Sequence, residues 1–503
     1  MIHMEDFIIS NRLSQKCFYV LGKGPSIEKF NAVDASSDVL ISLNHVVRDR
    51  KVDIAHIIDY DVFEDVGQSV YENANYLLMP LHPHISCKPT RLSLHHFIKE
   101  NKIIHKMNEE GRLVWYKLGT KKYFLDGYPT YPAGYFSGDV IVGVLAGAGV
   151  KNIKLVGVDG GNVYADSFVD LSQKTLLVNG RKSFDIQFSR IRFHIMSNDL
   201  NYSHILDDYP IKVYVATTEA QMLATKVLEY TIKKHSSKPV DLIPMHECGI
   251  SYDEPKSVEN RQRTPFSFQR FLIPKLNNYN GKAIYLDSDM QVFKDINKIW
   301  TLPMGQNDLL TVKSGKGEGR RLHFSVMLLD CSKLTWDIND IVEKLDSEEL
   351  DYSSLMHGMK VAENISADIV EHWNSLEKYT EGETCLLHYT DMETQPWVST
   401  KNPNESVWVS ELISAIKDGF ISIEYVRSHI ERGWVRPSLE IQILNGISDS
   451  KNLSSEELLK DKKFSPPYRE LICGYSGVSS NIIMKLWVKA VKFARYLRRK
   501  WIV

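Results

Sequence analysis

Two aspartates one residue apart close an apolar run, Lys282-Ala-Ile-Tyr-Leu-Asp287-Ser288-Asp289. The run reads as a strand, so both carboxylates stand at its end. Oxygen ligands on a short turn can hold a divalent cation, and such a cation bridges the phosphates of a departing diphosphate as a Lewis acid. Taken alone, the pair has an equally good local explanation, because acidic residues favour turns after strands. About a hundred residues downstream come Leu387-His388-Tyr389-Thr390 and Gln395-Pro396-Trp397. His388 offers a third ligand. A second candidate lies near the start, where the apolar run Cys17–Leu21 meets Gly22-Lys23-Gly24-Pro25-Ser26. Backbone N–H groups and the Ser26 hydroxyl of such a turn can approach a phosphate without a side-chain clash. A tight turn that merely uses glycine and proline explains the same residues.

The elements that must carry these groups follow from the apolar pattern. Short strand-like runs recur through the first 160 residues, with a Gly/Ala-rich helical stretch opening at Ser137-Gly138 before the last of them, Ile153–Val158. From Ile211 the rhythm restarts with a strand through Val213–Ala216, a helix to about His235 and a strand over 240–244. Strands alternating with helices predict an α/β fold with a parallel sheet covered on its faces. We expect two nucleotide-binding, Rossmann-like units, residues 1–210 and 211–434, with a mainly helical C-terminal tail over 435–503.

At 503 residues the chain is too long for one ordinary core. A net charge of −2 with 43% hydrophobic and 25% charged residues gives no global sign of a nucleic-acid partner. Six scattered cysteines lack zinc-site spacing, so reduced thiols are expected. The N-terminus has no basic stretch followed by an apolar core, and no apolar run nears the roughly 20 residues that span a bilayer, which predicts a cytoplasmic protein.

Residues 211–400 resemble glycosyltransferase family 8. Val215-Ala216-Thr217-Thr218 looks like that family's opening strand, whose end holds uracil and ribose, and Phe268-Gln269-Arg270-Phe271 resembles its arginine-bearing helix near the diphosphate. Asp287 and Asp289 match the metal motif, His388 matches the histidine that completes the metal shell, and Trp373-Asn374 also fits. Gln395 stands where the family usually has a lysine that reaches the diphosphate, and His323 where many members carry an asparagine beside the donor hexose. The resemblance implies a GT-A type fold, a UDP-hexose donor, retention of anomeric configuration, and Mn²⁺ or Mg²⁺ as cofactor. A nitrogen ligand beside carboxylates favours manganese.

Residues 16–210 resemble the bacterial sialyltransferases of family 42, which use CMP-activated nine-carbon sugars. Gly22, Gly24 and Ser26 match the nucleotide loop, Asn44 matches the asparagine after the second strand, and Ser137-Gly138 matches a helix-start pair. Tyr164 and His194 fall where that family has a phosphate-side tyrosine and a histidine base. An imidazole titrating near neutrality can take the proton of an attacking hydroxyl without a metal. Lys23, Asp59 and Gly160 or Gly161 depart from the pattern around the donor.

Together these resemblances imply a bifunctional bacterial transferase for a surface glycan, lipopolysaccharide or capsule. It takes UDP-sugar and CMP-sugar donors and a glycan or glycolipid acceptor. The alternative keeps only the family 8 unit catalytic and makes residues 1–210 a nucleotide- or glycan-binding platform. Residues 482–503 alternate apolar and basic positions at helical spacing. That pattern suits either contact with the anionic inner face of the inner membrane or a helix packed on the body with a solvated face.

Overall fold

The protein is described by a computed structural model covering residues 1–31, 35, 37–119, 127–132, 134, 136–174, 183–313 and 322–467. The basic segment 482–503 and Cys473 lie outside the described residues.

Eleven strands belong to the first half: β1 (Ile2–His3), β2 (Cys17–Leu21), β3 (Val39–Leu43), β4 (Val52–His56), β5 (Ala74–Pro80), β6 (His84–Ile85), β7 (Lys88–Pro89), β8 (Leu113–Gly119), β9 (Thr130–Pro132), β10 (Asn152–Val156) and β11 (Asn201–His204). Nine of them form one sheet in the order β1-β8-β5-β4-β3-β2-β10-β11, with β9 on β8. Every pairing in it is parallel. A sheet of this kind is buried on both faces, which is why its strands read as nearly unbroken apolar runs such as Val-Leu-Ile-Ser-Leu. The strand order turns back between β2 and β10. In open parallel sheets a crevice forms at such a point beyond the strands' C-terminal ends, and the turn Gly22–Ser26 opens there.

The second half adds β12 (Ile211–Ala216), β13 (Val240–Pro244), β14 (Lys282–Asp287), β15 (Met290–Val292), β16 (Leu309–Val312), β17 (His323–Asp330), β18 (Ile365–Ile369), β19 (Ser375–Leu376) and β20 (Leu386–His388). Six make a sheet in the order β13-β12-β14-β17-β16-β18, and β15-β20-β19 make a small sheet beside it. The two halves are not alike. β17 runs antiparallel to both β14 and β16, so the second sheet is mixed. The 313–322 connection is too short for the crossover that a parallel neighbour requires.

One apolar cluster crosses from the first sheet to the second, taking in Ile141 and Ile191 on one side and Val213, Trp300 and Ile369 on the other. Arg192, buried on the helix Ile186–Ser197, donates to Asp368 Oδ2 at 2.7 Å and to the Pro303 carbonyl at 2.6 Å. The expected cut between residues 434 and 435 is not a boundary. Val435, Leu439 and Ile443 share a core with Trp397, Trp408 and Leu412. Arg436 is fully buried there, and it donates to Glu405 at 2.8 Å and to the Pro396 carbonyl at 2.9 Å. Among the described residues no helix is long and apolar enough to cross a membrane.

Candidate functional site

The end of β14 and the end of β20 meet. β15 turns back after Asp289 and pairs antiparallel with β20, placing Met290 opposite His388. Ligand atoms of Asp287, Asp289 and His388 lie within 4.8 Å of one another. His388 Nε2 is 3.1 Å from Asp289 Oδ1 and 4.0 Å from Asp287 Oδ2. The other ring nitrogen, Nδ1, is 2.9 Å from Asn374 Oδ1. A carbonyl oxygen there fixes the proton on Nδ1 and turns the Nε2 lone pair toward the carboxylates, as a metal-binding imidazole needs. Burial would lower the His388 pKa, but the carboxylates of Asp289 and then Asp287 outweigh it and raise it. A divalent cation competes with that proton for Nε2. Two hard oxygens with one nitrogen suit a divalent cation.

Each carboxylate is held from behind. Tyr285 donates to Asp287 Oδ1 at 2.5 Å, and Gln395 Nε2 donates to Asp289 Oδ2 at 2.9 Å. Arg270 sits over the Tyr285 ring at 4.5 Å, with Nη2 at 3.5 Å from Asp287 Oδ1. It is fixed by donating to the carbonyls of Ser267 and Phe324 at 3.0 and 2.9 Å. Asp287, Asp289, His388 and Arg270 line a 340 Å³ cavity, whose lining also includes Arg263, His323, His357 and Tyr352.

Gln395 and the stretch Ala216–Thr218 lie outside the lining of this cavity. Gln395, a nucleotide-side candidate because it stands at the position of the family's lysine, is turned toward Asp289. It is fully buried and donates to Asp289 and to the Tyr389 carbonyl, so it orients a ligand carboxylate. The Thr217 N–H and C=O are both taken by the Gln269 side chain, at 3.0 and 3.1 Å, which ties the end of β12 to the segment bearing Arg270.

The crevice between β2 and β10 is a cavity of 500 Å³. It gathers Gly22, Gly24, Asn44, Ser137, Gly138 and Tyr164, drawn from four separate stretches of sequence. Asn44 takes a left-handed conformation, φ 53°, and its amide donates to Ser137 Oγ at 3.2 Å. Tyr164 stacks on Phe184 and lies 4.3 Å beneath the Lys23 ammonium.

Ser26 and His194 stand outside this cavity. The Ser26 hydroxyl donates to Asp159 Oδ1 at 2.5 Å and accepts from Gly157 N–H at 2.7 Å, which leaves it inside the turn. Three of the turn's four amides are engaged too. Gly22 and Gly24 donate to the carbonyls of Val156 and Gly157, both at 2.7 Å, and Ser26 N–H donates to Asp159 Oδ2 at 2.6 Å. The glycines are required for contact between loops, since a Cβ on Gly22 would lie 2.2 Å from the Gly157 carbonyl oxygen. These bonds make the turn a clasp between β2 and β10. His194 packs beneath the helix Ser137–Gly147, where a Cβ on Gly143 would meet its Nε2 at 2.8 Å. Burial, aided by Arg190, pushes its pKa down to about 4.

The imidazole that does line the cavity is His45, next to Asn44. Its Nε2 lies 3.5 Å from Asp65 Oδ2. Its position straight after an apolar strand was the only signal for it. Arg263, His357 and Gln187 had none, because they come from irregular segments or a helix start.

Three side chains able to hold a cation therefore meet where strands of the two adjoining sheets end, beside a 340 Å³ cavity. Residues 163–364 match the sequence profile of glycosyl transferase family 8. Protein CDI of Arabidopsis thaliana is 33% identical over 98 residues, 18% of this chain and 37% of that protein. The glycosyltransferase GlyE of Streptococcus pneumoniae TIGR4 aligns at 19% identity over 40% of this chain and 60% of its own, with a TM-score of 0.30. The galactosyltransferase LgtC, solved with donor and acceptor sugar analogues, aligns at 12% identity over 42% of this chain and all of its own, with a TM-score of 0.29. The chain thus spans less than two thirds of the length of Protein CDI and of GlyE.

Proposed function

We propose that the chain is a glycosyltransferase whose second half moves a hexosyl group from a UDP-sugar to a hydroxyl of a glycan or glycolipid. The observation that carries this reading is the convergence of Asp287, Asp289 and His388 in the wall of a cavity that also holds Arg270. The profile match over residues 163–364 supports it. Asp287, Asp289 and His388 would hold the cation, and bound there it would supply charge neutralisation for the departing diphosphate. Arg270 sits in the same wall, held rigid by two carbonyls, and presents a fixed positive charge to the diphosphate. Gln395 and Asn374 keep Asp289 and His388 in place, so little reorganisation is needed when charge develops. The transfer breaks the anomeric C–O bond to the diphosphate and forms one to the acceptor oxygen, with configuration retained as in family 8. The acceptor's proton leaves with the UDP or to solvent.

For residues 1–210 we favour a binding platform over a CMP-sugar transferase. The supporting observations are the engaged amides of Gly22, Gly24 and Ser26 and the placement of His194 in the core. The test is UDP release from UDP-glucose, UDP-galactose and UDP-N-acetylglucosamine with Mn²⁺, together with CMP release from CMP-sugars. One UDP-sugar should be consumed by the parent chain and by His194→Ala, and spared by Asp289→Ala. CMP release that disappears in His194→Ala would overturn the platform reading.

A further inference from the structure

A further cavity, of 490 Å³, lies at the other end of the small sheet from the cation triad. The ladder between β15 and β20 begins with Met290 opposite His388 and ends with Val292 opposite Leu386. Just beyond, Phe293 N–H donates to the Cys385 carbonyl at 2.8 Å. Strand rise of about 3.3 Å per residue puts Phe293 about 13 Å from Asp289. The two cavities share no lining residue.

Its walls are in place before any ligand arrives. Thr380 N–H donates to Thr384 Oγ1 at 2.9 Å and Thr384 N–H to the Thr380 carbonyl at 3.0 Å, which closes the loop 380–384 on itself. Gly382 turns that loop at φ 78°, a conformation glycine adopts without strain. On the helix Glu405–Lys417, both carboxylate oxygens of Glu411 accept from Lys234, at 3.0 and 2.8 Å. A wall held this way has little freedom left to lose on binding.

Two half-buried rings, Phe293 and Tyr379, line the cavity with their centroids 4.9 Å apart. Ser406 and Ser410, one turn apart on the same helix face, and Ser448 add hydroxyls. Among the described residues, the Oγ atoms of these serines and the Tyr379 phenol have no hydrogen-bond partner. Ser410 is exposed and the other three residues are half-buried, so these groups are open to solvent. A hydroxyl donates and accepts at once, and a ligand matched to several of them carries groups of the same kind. An aromatic ring adds a flat apolar surface that packs best on a flat C–H face. A pyranose offers both, with hydroxyls at its rim and C–H bonds on its faces.

We propose that this cavity binds a neutral oligosaccharide, with Phe293 and Tyr379 against a pyranose face and the serine hydroxyls exchanging hydrogen bonds with its rim. The site holds a sugar chain and carries out no reaction. It goes beyond transfer at Asp287 and Asp289 and does not depend on it.

Lys294 gives a local readout, because it belongs to the same lining, and Lys238, exposed and outside it, serves as the reference. The full chain is acetylated with sulfosuccinimidyl acetate, and modification of both lysines is followed by mass spectrometry. Probes are maltotetraose, cellotetraose, chitotetraose and UDP with Mn²⁺. At least one tetrasaccharide should slow acetylation of Lys294, and not of Lys238, in a saturable way, while UDP leaves both unchanged. Tyr379→Ala should raise the half-saturating concentration about tenfold. Ser410→Arg puts a long side chain into the space from an exposed helix position and should abolish protection, which keeps the test open should the first variant fold poorly. Protection of Lys294 by UDP, protection by no tetrasaccharide, or protection unchanged in both variants overturns the inference. Mn²⁺-dependent UDP release tests the transfer reading separately and is unaffected by any of these results.

Discussion

His388 can serve a cation only while Asn374 holds its Nδ1–H, since a rotated ring would turn Nε2 away from the carboxylates. Asn374→Ala should lower Mn²⁺ affinity about 10–100-fold, the usual effect of removing such a support. Calorimetric titration of the purified chain measures this, and an unchanged affinity would mean that His388 is not a ligand. The triad itself was legible in the sequence because ligand-type residues directly after apolar runs sit where strands end. The roles of Gln395 and Ser26 were not. Each is a polar side chain whose partner, Asp289 or Asp159, is more than a hundred residues away and fixed by the tertiary fold. Position in a motif cannot distinguish a group facing the ligand from one supporting the group that does.

The element scale decides His194. The helix Ile186–Ser197 lies against Ser137–Gly147, and Gly143 leaves the space that the imidazole fills. Its folded pKa of about 4 lies below the ordinary 6.5, so between those values the unfolded chain binds the extra proton. Stability is then fully present above about pH 6.5 and is lost as pH falls toward 4, by on the order of 3 kcal/mol from this group. His45 and His56, with values of about 4 and about 3, add to the loss with the same sign. The melting temperature should fall from pH 7 to pH 4.5, and less steeply in His194→Gln. Identical slopes in parent and variant would contradict the buried, neutral assignment. Most strands of the first sheet were legible as apolar runs. The antiparallel course of β17 was not, because direction depends on which neighbour a strand joins and not on its own residues.

At the scale of the whole molecule the two sheets share one apolar cluster, and Arg192 with Asp368 bridges them. Asp368→Ala strands a buried guanidinium and should destabilise by about 3 kcal/mol, the low end for a broken buried pair because Asp368 keeps some exposure. Arg192→Met combined with Asp368→Leu should recover most of that loss, because no charge is left unpaired. Thermal unfolding reads both, and equal losses in the single and double variants would contradict the bridge. The change of sheet at residues 205–211 was visible as a restart of the strand rhythm. Fusion of the two cores was not visible, nor was the continuation of the second core past residue 434, since apolar residues do not announce their partners.

The most direct measurement is a calorimetric titration of UDP into the full chain, with Mn²⁺ and with a chelator, repeated for Asp287→Asn. The account predicts saturable, one-to-one UDP binding that requires the cation and weakens at least tenfold in the variant, in line with loss of one charged ligand. UDP binding of equal strength with chelator, or undiminished in Asp287→Asn, would contradict it.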